Sequence, residues 1–437
     1  MKKLLSIFCA LCFTATCAQA QWIRVWSGGE STRHAITDAN TIPYTTAGST
    51  LTIDGTSYST AAIDSITIVN PVIITYSGNT ASVDIPETAE GVTAEVNGAD
   101  VVINNACTNI EHEFLLQGST TTGSLTYYGE YKTKFHLNGV SITSATGAAI
   151  DIQCGKRIDL ILEDGTTNSL SDAANGEQRA AFNCQGHLEV SGAGTLNIAG
   201  NSRHALRSNE YLFLKKSTGA INITKAASDG IHCGEYFQQN GGTITIASTQ
   251  GDGLQVETDP TSDEALNGQF IMNGGTINLT VSAQDTKGIR LDAAEATTGT
   301  ETPTPHMQIL DGAITIDLTS TALGARAIAS DGNLTIGSKA TSPSIGITVA
   351  AGVYTDPTTS EEERATGIKA DLTLTIAGGN TTVNATGTKS RGVRAATLTA
   401  TGGTLTVTNT GTKSQGIKLD NTFVSGQGGT VSGSFKY

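Results

Sequence analysis

A chain of 437 residues with 50 glycines, only 8 prolines and 3 methionines, and 38% hydrophobic residues is too long for one ordinary core and too apolar for a disordered tail. Its net charge of −14 argues against a nucleic-acid partner, which would need a concentrated basic face. Abundant Gly, Thr and Val with few strong helix formers predict many short strands joined by tight turns.

Residues 1–20, MKKLLSIFCALCFTATCAQA, join two lysines, an apolar run and the small-residue ending Ala18-Gln19-Ala20. That pattern predicts a signal peptide, a mature chain starting at Gln21, and export to the periplasm, the cell surface or the medium. A lipoprotein reading at Cys17 is weaker, because Thr14 stands where the lipid-modification signal usually has leucine. No later apolar run is long enough to cross a bilayer, so no membrane insertion is expected. Four cysteines lie outside this segment, Cys107, Cys154, Cys184 and Cys233, none with zinc-ligand spacing.

Residues 21–72 hold both tryptophans, Trp22 and Trp26, and predict a small β appendage that caps the remainder of the chain. Residues 73–437 repeat. A glycine followed by alternating residues recurs as GTLNI at Gly194, GAINI at Gly219, GTITI at Gly242, GTINL at Gly275, GAITI at Gly312 and GTLTV at Gly403. Period-two alternation marks strands with one buried face, and a repeat without helical pattern predicts an all-β fold, a β-solenoid. A second phrase comes after each first one, as in TKGIRLD at Thr286 and SQGIKLD at Ser414. Counting from its glycine, the first and third following residues, such as Ile231 and Cys233 or Ile289 and Leu291, are expected inward. Cys184 and Cys233 share the third position two repeats apart, roughly 9.6 Å at the usual strand spacing, too far for a disulfide.

The second following residues form an outward row: Arg207, His232, Gln255, Arg290, Ala329, Lys369, Arg394 and Lys418. The fourth form a largely anionic row beside it: Asn209, Gly234, Glu257, Asp292, Asp331, Asp371, Ala396 and Asp420. The cations are candidates for holding an acidic polymer by many weak contacts, or simply solubilise a flat sheet. Asp229 and Asp252 precede glycine in successive repeats, so their carboxylates are expected one strand spacing apart. There they would bond their own turns or share a cation, and oxygen-rich turns suit calcium; Glu235, Glu257 and Asp285 are further candidate ligands. Tyr211 and Tyr236 fall at equivalent offsets and could carry a sugar ring or fill the core.

The stretches ITYSGNTASVDIP (74–86), TYYGEYKTKFHLNGVSITSATGAAIDIQCGKRIDLILEDGTTNSL (126–170) and GHLEVSGAGTLNIAGNSRHALRSNEYLFLKKSTGAINITKAASDGIHCGEYFQQNGGTITI (186–246) resemble a family of secreted bacterial carbohydrate-binding proteins. The resemblance implies a right-handed parallel β-helix akin to pectate lyases, and binding rather than cleavage of cellulose or acidic polysaccharides such as polygalacturonate, with bound calcium. The family's GDGI and DGIH turns match Asp229-Gly230-Ile231-His232 and Asp252-Gly253-Leu254; where relatives carry an aspartate soon after GIH, this chain has Cys233-Gly234-Glu235. TLTIDGTSYSTAAIDSITI (50–68) resembles the strand pair that opens many exported proteins of one Gram-negative group.

The resulting expectation is a monomeric, non-enzymatic polysaccharide binder, with the row cations Arg207, His232, Arg290, Lys369, Arg394 and Lys418, together with Tyr211 and Tyr236, on the glycan. The alternatives are a calcium-dependent lyase using Arg290 or Lys287 as base near Asp252 and Asp285, and a structural surface adhesin.

Overall fold

The computed structural model describes residues 22–27, 30–35, 44–293, 304–425 and 428–436. The predicted signal peptide lies outside the described residues. Every regular element among those described is a β-strand.

The alternating repeats do form strands with one apolar face. In the middle of the chain each strand pairs in parallel with the strand three further on. One such ladder passes through Ser124–Gly129, Ile150–Gln153, Ala180–Cys184, His204–Ser208, Ile231–Cys233 and Leu254–Val256. Its inward positions, Leu206, Ile231, Leu254, Ile289, Ile328, Ile368, Val393 and Ile417, are wholly buried. Each such side chain contributes about 1.5–3 kcal/mol by leaving water. Aromatic residues fill the early part of the core, where Phe114, Tyr127 and Phe135 meet at centroid distances of 5.1 to 5.4 Å.

The right-handed parallel β-helix expected from the sequence is corrected: the strand network closes on itself as a barrel instead of winding as an open solenoid. Late in the chain the strands become long and carry register shifts along their length. Thr366–Ala385 and Arg391–Asn409 pair along most of their lengths, with register shifts near Ala370, Ala377 and Ala395. At these bulges a strand bends and joins neighbouring ladders into one sheet. Gly379 shows why glycine is needed there: its φ is 75°, and a Cβ would lie 2.3 Å from the Pro343 carbonyl oxygen. Antiparallel pairs add to the network early in the chain, Val72–Ser77 with Thr80–Asp84 and Val92–Asn97 with Asp100–Asn105.

Before this barrel stand two small antiparallel sheets. One pairs Trp22–Ser27 with Glu30–Ala35 and Ser65–Val69; the other comprises Tyr44–Ala47, Thr50–Ile53 and Thr56–Ser59. Ile23, Val25, Leu51 and Ile53 give them a core of their own. The first of them meets the barrel through ionic and aromatic contacts. Arg24 donates to Glu113 at 2.7 Å, Arg33 pairs with Glu163, and His136 lies between Glu113 (2.9 Å) and Glu163 (2.7 Å), with its ring 5.0 Å from that of Trp22.

Candidate functional site

The outward row is present residue for residue. Parallel registers carry Arg207 to His232, Gln255, Arg290, Ala329, Lys369, Arg394 and Lys418 in turn, and a further step adds Lys436, which lies beyond the last copy of the repeated phrase. The row is not uniformly accessible. Arg207 is 4% exposed, bracketed by Asn183 (3.4 Å) and Asn209, and His232 is 8% exposed. Neither presents its charge to a passing polymer, so the accessible cations begin with Arg290 and continue through Lys369, Arg394 and Lys418. The anionic row supplies their partners: Lys369 with Asp371 at 2.9 Å, Arg394 with Asp420 at 3.4 Å, Lys418 with Asp420 at 2.6 Å, and Arg290 with Asp292.

Asp229 and Asp252 occupy successive turns as expected, but each carboxylate has been taken by protein donors. Asp229 Oδ1 accepts the Asp252 amide at 2.8 Å, and its Oδ2 lies 3.1 Å from His204 Nδ1 and 3.2 Å from His232 Nδ1. Asp252 Oδ1 accepts the Lys287 amide at 2.7 Å, and its Oδ2 accepts from Arg290 at 3.2 Å. Burial would raise the pKa of Asp229, yet hydrogen bonds from the two imidazoles outweigh it and hold the carboxyl well below its usual range. Burial likewise opposes the charge on His232, but Asp229 and Glu257 overcome it and push the imidazole up to about 9. At Asp252 burial wins over Lys287 and Arg290, and its pKa is raised.

The remaining candidate ligands are dispersed. Glu257 lies 3.6 Å from His232, Asp285 lies 3.3 Å from Arg326, and Glu235 stands with His187 and Glu210 instead. Calcium wants six to eight oxygens, whereas Asp229 is met by imidazoles and Asp252 by a guanidinium. These residues therefore do not fit a calcium ion.

The tyrosines meet as equivalent offsets require. His187, Tyr211 and Tyr236 form a column, with centroids 4.6 Å apart at each step and the two tyrosine rings inclined by 22°. The rings spend their faces on one another, Tyr236 is 8% exposed, and Tyr211 donates its hydroxyl to Glu189 at 3.0 Å. They offer edges to a ligand, not an open platform.

A feature missed in the sequence is a groove of about 850 Å³ between the N-terminal sheet and the barrel. Trp26 lines it, with Arg24 and Lys134 each 5.9 Å from its ring, alongside Lys132, Arg157 and Lys215. The alternation Tyr131-Lys132-Thr133-Lys134-Phe135 already turned both lysines outward, but no local pattern pointed them at Trp26. Glu111 and Asp159 neutralise much of this charge: Lys134 lies 3.0 Å from Glu111, and Lys215 lies 2.9 Å from Asp159.

Both residues considered as a lyase's base are engaged with the protein. Burial disfavours the Arg290 cation, but Asp292 and Asp252 outweigh it and raise its pKa, so it keeps its proton. Lys287 Nζ donates to the Asp285 carbonyl at 2.9 Å.

A family model described as "Carbohydrate-binding domain-containing protein" matches residues 97–416. No curated protein matches the chain. Among solved structures, a polysaccharide lyase-like protein from C. thermocellum, determined as a gadolinium derivative, is similar at 20% identity and a TM-score of 0.48; the match covers 62% of this chain and 98% of that one.

Proposed function

We propose, from the premise that this chain belongs to the carbohydrate-binding domain-containing family, that it is an exported, non-catalytic binder of uronate-containing polysaccharides. The observation that carries this reading is the register of the row, in which Arg290, then after Ala329 the run Lys369, Arg394, Lys418 and Lys436, lie on one outward ladder. Neighbouring strands lie about 4.8 Å apart, so the cations recur at multiples of that spacing. A uronate chain also repeats its carboxylates, and several weak contacts then combine. Their present partners do not prevent this. Exposed ion pairs are worth about 0–1 kcal/mol, so a ligand carboxylate replaces Asp371 or Asp420 at little cost. Calcium has no part in this reading.

Affinity electrophoresis through gels containing polygalacturonate tests it: retardation is expected, weakening with added salt and in a Lys369→Ala, Arg394→Ala, Lys418→Ala variant. Migration unchanged by acidic and neutral glycans alike sinks carbohydrate binding by this chain. Unsaturated product, followed by its absorbance after incubation with polygalacturonate, would overturn the non-catalytic part. Identification of the amino terminus of protein recovered outside the cytoplasm tests export.

A further inference from the structure

We propose that His187, Glu210 and Glu235 form a site for a divalent transition ion of the zinc and cobalt class. One ligand atom from each residue lies within 4.8 Å of the others, and His187 Nε2 is already 3.3 Å from Glu210 Oε2. An ion bound at about 2.1 Å by each of three ligands holds them roughly 3–4 Å apart, so little movement is required.

Glu235 carries the inference. It is 6% exposed, and among the described residues its buried Oε2 has no hydrogen-bond partner. Among the described residues neither Glu210 nor Glu235 has a lysine or arginine within ion-pair distance, although such partners neutralise Glu111, Glu113, Glu163 and Glu189 elsewhere in the barrel. A buried carboxylate oxygen left unpaired is costly, and a cation is the partner that its position lacks.

The fold holds the three groups in place. Glu210-Tyr211 and Glu235-Tyr236 are the same dipeptide on successive repeats, and the Gly234 amide donates to the Glu210 carbonyl at 3.0 Å, tying the two turns together. His187 heads the ring column over Tyr211, which fixes the plane of its imidazole. One imidazole with two carboxylates is a mixed donor set that suits borderline ions and gives calcium too few oxygens.

The test uses the full chain, stripped with chelator and titrated with cobalt(II) alone, read by its visible d–d absorption and by calorimetry. One ion per chain is expected, displaced by zinc and not by a similar excess of calcium. Glu210→Gln and Glu235→Gln should each weaken uptake about tenfold or more. Glu210 is partly exposed, so its variant is expected to melt close to the parent without metal, which separates lost binding from lost folding. His204→Gln should leave uptake unchanged, because His204 belongs with Asp229 and His232 to a separate cluster among the described residues and contributes nothing to this one. The proposal is overturned by no uptake, by uptake insensitive to Glu210→Gln, by loss confined to His204→Gln, or by displacement with calcium. None of these readings involves a glycan, so they stand apart from the binding assay.

Discussion

Asp229 and Asp252 do not confront each other across a cation: the carboxylate of the first accepts the backbone amide of the second at 2.8 Å. Asp252 in turn accepts the amide of Lys287 at 2.7 Å, so each aspartate secures the following turn of the ladder. Polar partners gather around the pair, the imidazoles of His204 and His232 on one side and the Arg290 guanidinium on the other. Replacing Asp252 with alanine orphans the Lys287 amide and leaves Arg290 with Asp292 as its remaining carboxylate, which should cost about 1–3 kcal/mol. Denaturant melts in calcium and in chelator should show the same loss. A loss seen only in calcium would restore the metal role that the sequence suggests for this aspartate.

His232 makes stability depend on pH. Its folded pKa of about 9 exceeds the ordinary histidine value of 6.5, because Asp229 and Glu257 favour the cation more than burial disfavours it. The unfolded chain releases this proton first as pH rises, so the contribution is complete below about 6.5 and fades as pH climbs through 9. The melting temperature should therefore fall by a few degrees between pH 6.5 and 9.5 beyond the decline in a His232→Gln variant. Glutamine is a fitting replacement, since Gln255 holds the next position in the row. Parallel slopes for the two proteins would contradict the assignment.

Features set by local pattern were legible in the sequence. Period-two alternation places Ile231 and Cys233 inward and His232 outward without knowledge of anything distant, and repetition then lines up the rows. The closure of the sheet was not legible. Gly378-Gly379 and Gly402-Gly403 look like turn signals in sequence, yet they lie inside long strands as bulges, and only contacts with neighbouring ladders distinguish the two. The groove was hidden for a similar reason: Arg24 meets Glu113, 89 positions along the chain, through a docking of two sheets that no periodicity encodes. Charge partners were half legible. The rows put Lys369 near Asp371 and Lys418 near Asp420 without naming these ion pairs, whereas the burial of Arg207 beside Asn183, one ladder step away, had no local signal.

The thiols offer a clean test of the inward row. Cys184 and Cys233 flank Ser208 along one ladder, two strands apart, and all four cysteines at positions 107, 154, 184 and 233 are free. Burial pushes the Cys184 thiol up to about 12 and raises Cys154 and Cys233 as well, so none forms thiolate at neutral pH. Cys107 is half-buried, with its sulfur 3.2 Å from Asn109 Oδ1. Treating residues 21–437 with a thiol reagent should modify Cys107 alone under native conditions and all four after denaturation. Rapid native labelling of Cys184 or Cys233 would mean that this part of the barrel opens readily.

The accessible end of the row separates a ligand-binding role from a solubilising one. Lys369, Arg394 and Lys418 each pair with a carboxylate at the surface, so removing any one should change stability by no more than about 0.5 kcal/mol. If the three merely solubilise the sheet, their joint replacement by alanine leaves affinity for polygalacturonate untouched. If they hold a uronate chain, three contacts of about 0.5 kcal/mol each combine to roughly 1.5 kcal/mol, near a tenfold weakening. The same contacts are screened by salt, with a Debye length of about 10 Å at 0.1 M, so parent affinity should fall with ionic strength and the variant's should fall less. Binding curves for both proteins at two salt concentrations decide the matter: equal affinities and equal salt slopes would leave the row as surface chemistry and move the search to the groove beside Trp26.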